Sequence, residues 1–336
     1  MEAFHTKYRP QTFEDVVEQS SITRILNRQI ETDRVGSAYL FAGPSGCGKT
    51  TLAYILANAV DGELIEVDVA SNNSVESTRS IVESASTRSV MKKRKVFLLD
   101  ECQMYSNAAW QPFLKELEKE SKYTVFIFCT TDPQKVPQTI LTRVQRFNLT
   151  RVSNVGIQNR LRYICQQEGL EDYESGIEYL SRIAGGSPRQ AISLLEKCSG
   201  YSIQISLENV LAALGGYSYE LFFSLLDACI DGNEGEVLRV LSTADLASMD
   251  PRLFVDQFIS FCLDVNKFAI FNDCSLTQLP TTLTEHLKHS TGISNASAYY
   301  STYLLPRLLE LKNMLKTDTA PRDTVEVVFL RITRCI

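Results

Sequence analysis

The chain has 336 residues, 44% of them hydrophobic, and a formal net charge of −6; this is room for two or three domains of about 100–150 residues and too acidic overall for bulk, non-specific nucleic-acid binding. Residues 1–150 carry 18 basic against 18 acidic side chains and the other 186 carry 16 against 22, so any nucleic-acid surface is expected as a local patch on the first part. Nine cysteines with no C-x-x-C pair argue against a disulfide framework, and with no apolar signal core in "MEAFHTKYRP" and no run of roughly 20 apolar residues, a soluble cytoplasmic protein with no membrane partner is expected.

The first strand expected is "AYLFA" (Ala38–Ala42). Immediately after it, Gly43-Pro44-Ser45-Gly46-Cys47-Gly48-Lys49-Thr50 fits G-x-x-x-x-G-K-[ST] without a gap, with Thr51 opening a helical stretch, "TLAYILANAV". Strand before and helix after are the context this phosphate-binding loop requires. Its glycines let backbone N–H groups wrap phosphates, and the helix N-terminus adds positive potential. Lys49 is expected to reach the β- and γ-phosphates and the Thr50 hydroxyl to bind Mg²⁺.

Four more apolar runs follow: Leu64–Val69, Val96–Asp100, Val125–Cys129 and Val144–Leu149. Their alternation with helical patterns predicts a five-stranded, mainly parallel α/β sheet over residues 1–150. In "KVFLLDECQ", Asp100 at a strand's C-terminal end can hold Mg²⁺, and Glu101 can orient and polarise an attacking water. A carboxylate pair about 50 residues after the phosphate loop points to a hydrolase rather than a passive nucleotide binder.

After Arg151 the period becomes helical. Ile157, Leu161, Ile164 and Cys165 share one face; a second helix carries Ile177, Leu180 and Ile183 and stops at Gly185-Gly186. Ser187 reads as an N-cap and Pro188 as the first helical position of a third helix with Ala191, Leu194, Leu195 and Cys198. A fourth runs over Leu207–Leu214 to Gly215-Gly216. Residues 151–214 are therefore expected as a small helical lid and 215–336 as an all-α domain for assembly.

Phosphate loop, "LLDE", "CTTDPQKVPQTILTR" and "GGSPRQAISLLEKC", in that order, resemble the AAA+ ATPases. Within them they are similar to the clamp-loader motor subunits of the gamma/tau and replication factor C kind. "KYRPQTFEDVVEQ" resembles that family's opening box and "PRDTVEVVFLRI" the end of its collar domain, so the likeness spans nearly the whole chain. It implies that Arg9, Pro10, Val16 and Val17 flank the adenine, that Thr131 is a polar sensor near the γ-phosphate, and that Arg189, beside Pro188, is a second sensor from the lid. It also implies that Arg143 acts in trans as an arginine finger on a neighbouring subunit's ATP. Spacing alone leaves Arg143 equally readable as a solvated surface residue and keeps that reading open for Arg189 as well, although there a cation just inside a helix start is disfavoured unless an anion binds.

The resemblance further implies ATP and Mg²⁺ as cofactors, and a sliding clamp, other loader subunits in a pentameric ring and primer–template DNA as partners. DNA contacts are expected from the segments opening the helices after Ala70 and after Tyr105, including Asn73 and Asn107. The chain departs from the family pattern in several places. The four-cysteine zinc module is missing from "ANAVDGELIEVD", so no zinc is expected. Thr142-Arg143-Val144 replaces Ser-Arg-Cys, Glu18 stands where glycine is common, and the sequence stops at Ile336 without the long form's tail; a compact phage-encoded or divergent bacterial version would fit. "KKRK" (Lys92–Lys95) reads as a solvated loop, His286 and His289 as a helix surface, Trp110 as packing, and Cys47 and Cys102 as space-fillers. Two other readings remain open: a Holliday-junction or recombination ATPase, which does not predict the collar-like ending, and a non-hydrolysing stator subunit of a clamp loader.

Overall fold

The computed structural model describes residues 2–119, 121–244, 250–273, 276, 277, 279, 283, 287 and 303–334. They divide into two compact units: Met1–Ile164 with Ala184–Ser193, and Cys165–Ile183 with Leu194–Ile336.

The first unit is built on β1 (Ala38–Ala42), β2 (Gly62–Asp68), β3 (Arg94–Asp100), β4 (Thr124–Thr130) and β5 (Gln145–Asn148). All pairings are parallel and the strand order is β2-β3-β4-β1-β5. β1 and β4 are buried at every position, as continuous apolar runs between two helical layers should be. Alternation sends Tyr39 and Phe41 into one core, with Leu26, Leu52 and Leu56 from α2 (Ser20–Glu31) and α3 (Lys49–Ala59). Leu40, Phe126 and Phe128 face the other core, with Ile81 of α4 (Val75–Ala85) and Phe113 of α5 (Gln111–Leu117). Trp110 is 1% exposed, and its ring packs 5.3 Å from Tyr105 and 5.4 Å from Phe128. Burying each such large side chain contributes about 1.5–3 kcal/mol. All five strands lie on the expected runs. β2 starts two residues early because Gly62 already pairs with Arg94.

The order places the ends of β1, β3 and β4 side by side. Gly43, leaving β1, donates its N–H to Thr130 O of β4 at 3.1 Å. The loop after β1, the Asp100 end of β3 and the Thr130 end of β4 thus meet at one edge, where ligands sit in open parallel sheets. The unit also contains α1 (Phe4–Lys7), α6 (Gln138–Leu141), the first part of α7 (Asn154–Glu168), and the opening of a helix at Pro188.

The second unit is helical. It contains α8 (Glu174–Ile183), the later part of α9 (Pro188–Ser199), α10 (Leu207–Leu214), α11 (Tyr219–Ile230) and α12 (Glu234–Thr243). It continues with α13 (Pro251–Phe271), α14 (Leu305–Met314) and α15 (Pro321–Arg334). Ser206 caps α10 by accepting from Asn209 N, and Gly215 closes it at φ 74°, a backbone state that suits glycine. Phe254 and Phe258 stack at 6.3 Å with Phe329 5.4 Å from Phe258, and Tyr179 of α8 meets Tyr219 of α11 at 6.3 Å. Residues of the expected lid and of the expected assembly domain therefore share one core here. No described helix is long and apolar enough to cross a membrane.

Candidate nucleotide-binding site

The phosphate loop owes its shape to two glycines. Gly46 has φ 71° and Gly48 φ 109°, conformations costly for any residue with a Cβ. At Gly46 the space is also taken: a Cβ there would lie 2.0 Å from Ser187 Oγ. Glycine lets the loop lie against the start of α9, where Ser187 Oγ accepts from Gln190 N at 3.3 Å as an N-cap.

α3 begins at Lys49, which is 6% exposed. Its Nζ donates to Gly43 O and Pro44 O, both at 2.8 Å. An ammonium has three donors, so one remains for a phosphate oxygen. One residue on, Thr50 Oγ1 donates to Asp100 Oδ2 at 2.9 Å, while Asp100 Oδ1 accepts from Glu101 N at 2.9 Å. A hydroxyl beside a carboxylate is a hard-oxygen pair of the kind Mg²⁺ takes together with phosphate oxygens, so the residues present fit a Mg–nucleotide.

A cavity of about 530 Å³ collects these groups. Gly46, Cys47, Gly48, Lys49, Thr50 and Thr51 line it, with Asp100 and Glu101 at the strand end. Arg9, Pro10, Val16 and Val17 line it from the N-terminal segment, and Pro188 and Arg189 from the start of α9. Gly43, Pro44 and Ser45 lead into the loop, the first two through the carbonyls that hold Lys49.

Like Gly43, Pro44 and Ser45, the expected Thr131 and Arg143 stand apart from the cavity wall. Thr131 lies behind Glu101, with Thr131 Oγ1 donating to Glu101 Oε2 at 3.3 Å. Arg143, just past α6, donates to Thr139 O at 2.7 Å and to Glu118 Oε1 at 2.7 Å.

Other wall residues carried no local signal in the sequence. Arg160 of α7 donates to Tyr8 O and lines the cavity together with His5, Glu66 and Asp68. The Arg9 guanidinium sits 4.7 Å from the centre of the Tyr54 ring, whose hydroxyl donates to Glu66. Burial, and then that bond, raise the Tyr54 phenol above its ordinary value. Gln103 was also missed: its Nε2 donates to Glu101 Oε2 and to Thr131 Oγ1 at 3.1 Å.

The unusual Glu18 occupies left-handed backbone at φ 60°, followed by Gln19 at φ 56°, which explains why glycine suits the position. Two long-range clasps hold the turn. Glu18 accepts from Ser153 N at 3.2 Å, and Gln19 Nε2 donates to Thr150 O at 2.8 Å. Of "KKRK", only Lys92 and Lys93 form the expected solvated loop, because Arg94 and Lys95 already belong to β3 and are half-buried; Lys92 pairs with Asp61 at 2.8 Å, Arg94 with Asp33 at 3.0 Å, and Lys95 donates to Thr87 Oγ1 at 2.8 Å. Asn73 and Asn107 are exposed. The seven described cysteines are buried and form no disulfide with one another, and burial pushes the Cys47 thiol up. His286 and His289 lie outside the described residues; among the described ones, no group of three or more His, Cys, Asp and Glu gathers that could hold a metal ion.

The profile of the AAA family (ATPase family associated with various cellular activities) matches residues 39–152. The DNA polymerase III subunit tau of Bacillus subtilis is 32% identical over 289 residues, 79% of this chain and 51% of that protein. The subunit tau of Escherichia coli is 29% identical over 332 residues, 90% of this chain and 51% of that protein. The chain thus spans about half the length of these curated relatives. Among solved structures, the Thermotoga maritima RuvB Holliday junction branch migration motor superposes with a TM-score of 0.55 at 18% identity, covering 66% of this chain and 79% of that one; at that identity the likeness is one of fold. The phosphate loop, the Thr50–Asp100–Glu101 line and the family match together place residues 39–152 in the AAA family of ATPases, in a chain similar over most of its length to DNA polymerase III subunits tau.

Proposed function

We propose that the chain is an ATP-driven motor subunit of a sliding-clamp loader, which opens a ring-shaped clamp and places it on primer–template DNA. The observation that carries the reading is the pairing of Thr50 with Asp100 at 2.9 Å, with Glu101 next in line, inside the cavity that the phosphate loop lines. A stator has no use for that pairing, and the similarity to subunits tau turns a general ATPase site toward clamp loading.

The chain's own groups supply most of the chemistry. Backbone N–H groups of 46–50 and the Lys49 ammonium hold the phosphates, and Thr50 and Asp100 would hold a Mg²⁺ ion, which would supply charge neutralisation at the phosphate oxygens. Glu101 orients the attacking water and takes its proton, and Thr131 holds Glu101. Arg189 enters from α9 and senses the nucleotide. Arg143 faces outward to the site of a neighbouring subunit, where a guanidinium stabilises charge on the transferred group. In this reading ATP orders a spiral of subunits, a pentamer with other loader subunits, in the cytoplasm. The spiral grips the clamp and follows the DNA backbone through a few geometric contacts, Asn73 and Asn107 among them, which is why a net charge of −6 is no obstacle.

The test is ATP turnover of the purified chain alone, then with candidate partner subunits, clamp and primer–template DNA. The reading expects stimulation by clamp and primer–template together. Indifference to the clamp with stimulation by four-way junction DNA would point to a junction motor, and turnover unchanged by Lys49→Ala would point to a stator.

A further inference from the structure

We infer that Gln103 is a positioning residue for hydrolysis, the link that ties the Glu101 carboxylate to the end of β4; this rests on the reading of Glu101 as the residue that activates water.

Three side chains converge on Gln103. Its Nε2 donates to Glu101 Oε2 and to Thr131 Oγ1 at 3.1 Å, and its Oε1 accepts from Thr130 Oγ1 at 2.7 Å. The direction of the amide follows from the partners. An ionised carboxylate can only accept, so the NH₂ must face Glu101 and the carbonyl oxygen must face the Thr130 hydroxyl. Thr130 Oγ1 in turn accepts from Asp132 N at 3.0 Å, which leaves its proton for Gln103. Every polar atom of the Gln103 side chain is therefore engaged.

The backbone shows why Glu101 needs such a holder. Glu101 has φ 52° and ψ 42°, left-handed for a residue with a Cβ, a state that persists only when its surroundings over-determine it. Asp100 Oδ1 fixes the Glu101 N–H at 2.9 Å, and Gln103 and Thr131 fix the side chain. Both side-chain contacts fall on Oε2, which leaves Oε1 as the oxygen able to take a proton from water. Gln103 does not line the nucleotide cavity, whereas Glu101 does. It thus influences the reaction through the residues it bonds, Glu101 foremost, and its loss should change the hydrolytic step more than nucleotide affinity.

The link also joins parts of the site that are distant in sequence. Thr130 O accepts the Gly43 N–H at 3.1 Å at the head of the phosphate loop, and Thr130 Oγ1 holds Gln103. A shift of the β4 end would be felt both by the loop that holds phosphate and by the carboxylate that activates water.

The experiment compares wild type, Gln103→Leu and Gln103→His in the assembly that gives wild-type turnover. Leucine keeps the bulk and removes both hydrogen-bonding functions. A neutral imidazole offers one donor and one acceptor, the two roles Gln103 fills toward Glu101 and Thr130. A lost bond to a charged group predicts a fall in kcat of about 10- to 100-fold in Gln103→Leu, with KM for ATP and the Kd of a non-hydrolysed ATP analogue within about twofold of wild type, and recovery of most of the lost kcat in Gln103→His. The unchanged Kd also certifies that the variant is folded. Unaltered kcat in Gln103→Leu, a loss carried by KM and Kd instead, or Gln103→His no better than Gln103→Leu overturns the inference and leaves the hydrolysis reading standing. Wild type that fails to turn over ATP in every assembly overturns the hydrolysis reading and the inference with it.

Discussion

Arg143 Nη2 lies 2.7 Å from Glu118 Oε1, a contact across 25 residues that joins the end of α6 to the end of α5. Both side chains are partly exposed, 32% and 57%, and such pairs contribute about 0–1 kcal/mol. The bond is therefore weak enough to be exchanged for a neighbour's phosphate. Arg143→Ala should lower turnover of the assembled particle by about 10³-fold or more while leaving the isolated chain's nucleotide affinity unchanged. Glu118→Gln should leave assembled turnover equal to wild type or above it. Steady-state kinetics and equilibrium binding of the two variants check both statements.

Asp100 organises its surroundings with both oxygens, accepting from Thr50 Oγ1 and from Glu101 N, each at 2.9 Å. Asp100→Asn keeps the shape and removes the charge. We expect nucleotide to bind in the presence of a chelator as it does to wild type. The strengthening of binding by Mg²⁺ should weaken about 10- to 100-fold, as for other perturbed metal sites, and turnover should fall with it. A Mg²⁺ titration of nucleotide affinity reads this directly.

Gly46→Ala tests the contact between the phosphate loop and α9. The new methyl would meet Ser187 Oγ at 2.0 Å on backbone with φ 71°, and the left-handed state alone costs about 1–2 kcal/mol. The variant should melt at a lower temperature and lose nucleotide affinity. Adding Ser187→Ala removes the hydroxyl clash but not the backbone strain, so it should restore part of the loss and never all of it.

Cys47 lines the nucleotide cavity and is 4% exposed. Burial raises its thiol pKa, opposed by the nearby Lys49 charge. The thiolate is the reactive form, so a raised value means less thiolate at neutral pH and a rate that keeps climbing beyond the pH at which an ordinary free thiol levels off. Iodoacetamide labelling, followed at Cys47 by mass spectrometry, should be slower than for free cysteine at neutral pH and slower again with a bound ATP analogue.

These sites differ in how far the sequence reveals them. The phosphate loop and the Asp100–Glu101 pair are readable because their chemistry is set by neighbours in the chain and by the strand–helix context around them. The strands are readable because β1 and β4 are buried on both faces and carry unbroken apolar runs. Glu118, Arg160 and Gln103 are different. Each acquires its role from a partner that the topology delivers: Arg143 across 25 residues, Tyr8 across 152, Thr130 across 27. No local pattern marks such pairs. Glu18 lies between these cases. Its departure from glycine is visible in sequence, but the Ser153 contact that secures it lies 135 residues away.

The central claim is that a working site is shared between two chains, one presenting Lys49, Thr50, Asp100 and Glu101 and the next presenting Arg143. ATP turnover per chain, measured across a dilution series that runs from the assembled particle to the isolated monomer, tests it most directly. The account predicts that turnover collapses on dilution, and that Arg143→Ala in the assembled particle brings wild type down to the same residual rate. Full-speed hydrolysis by the dilute monomer, indifferent to concentration and to Arg143→Ala, would contradict it.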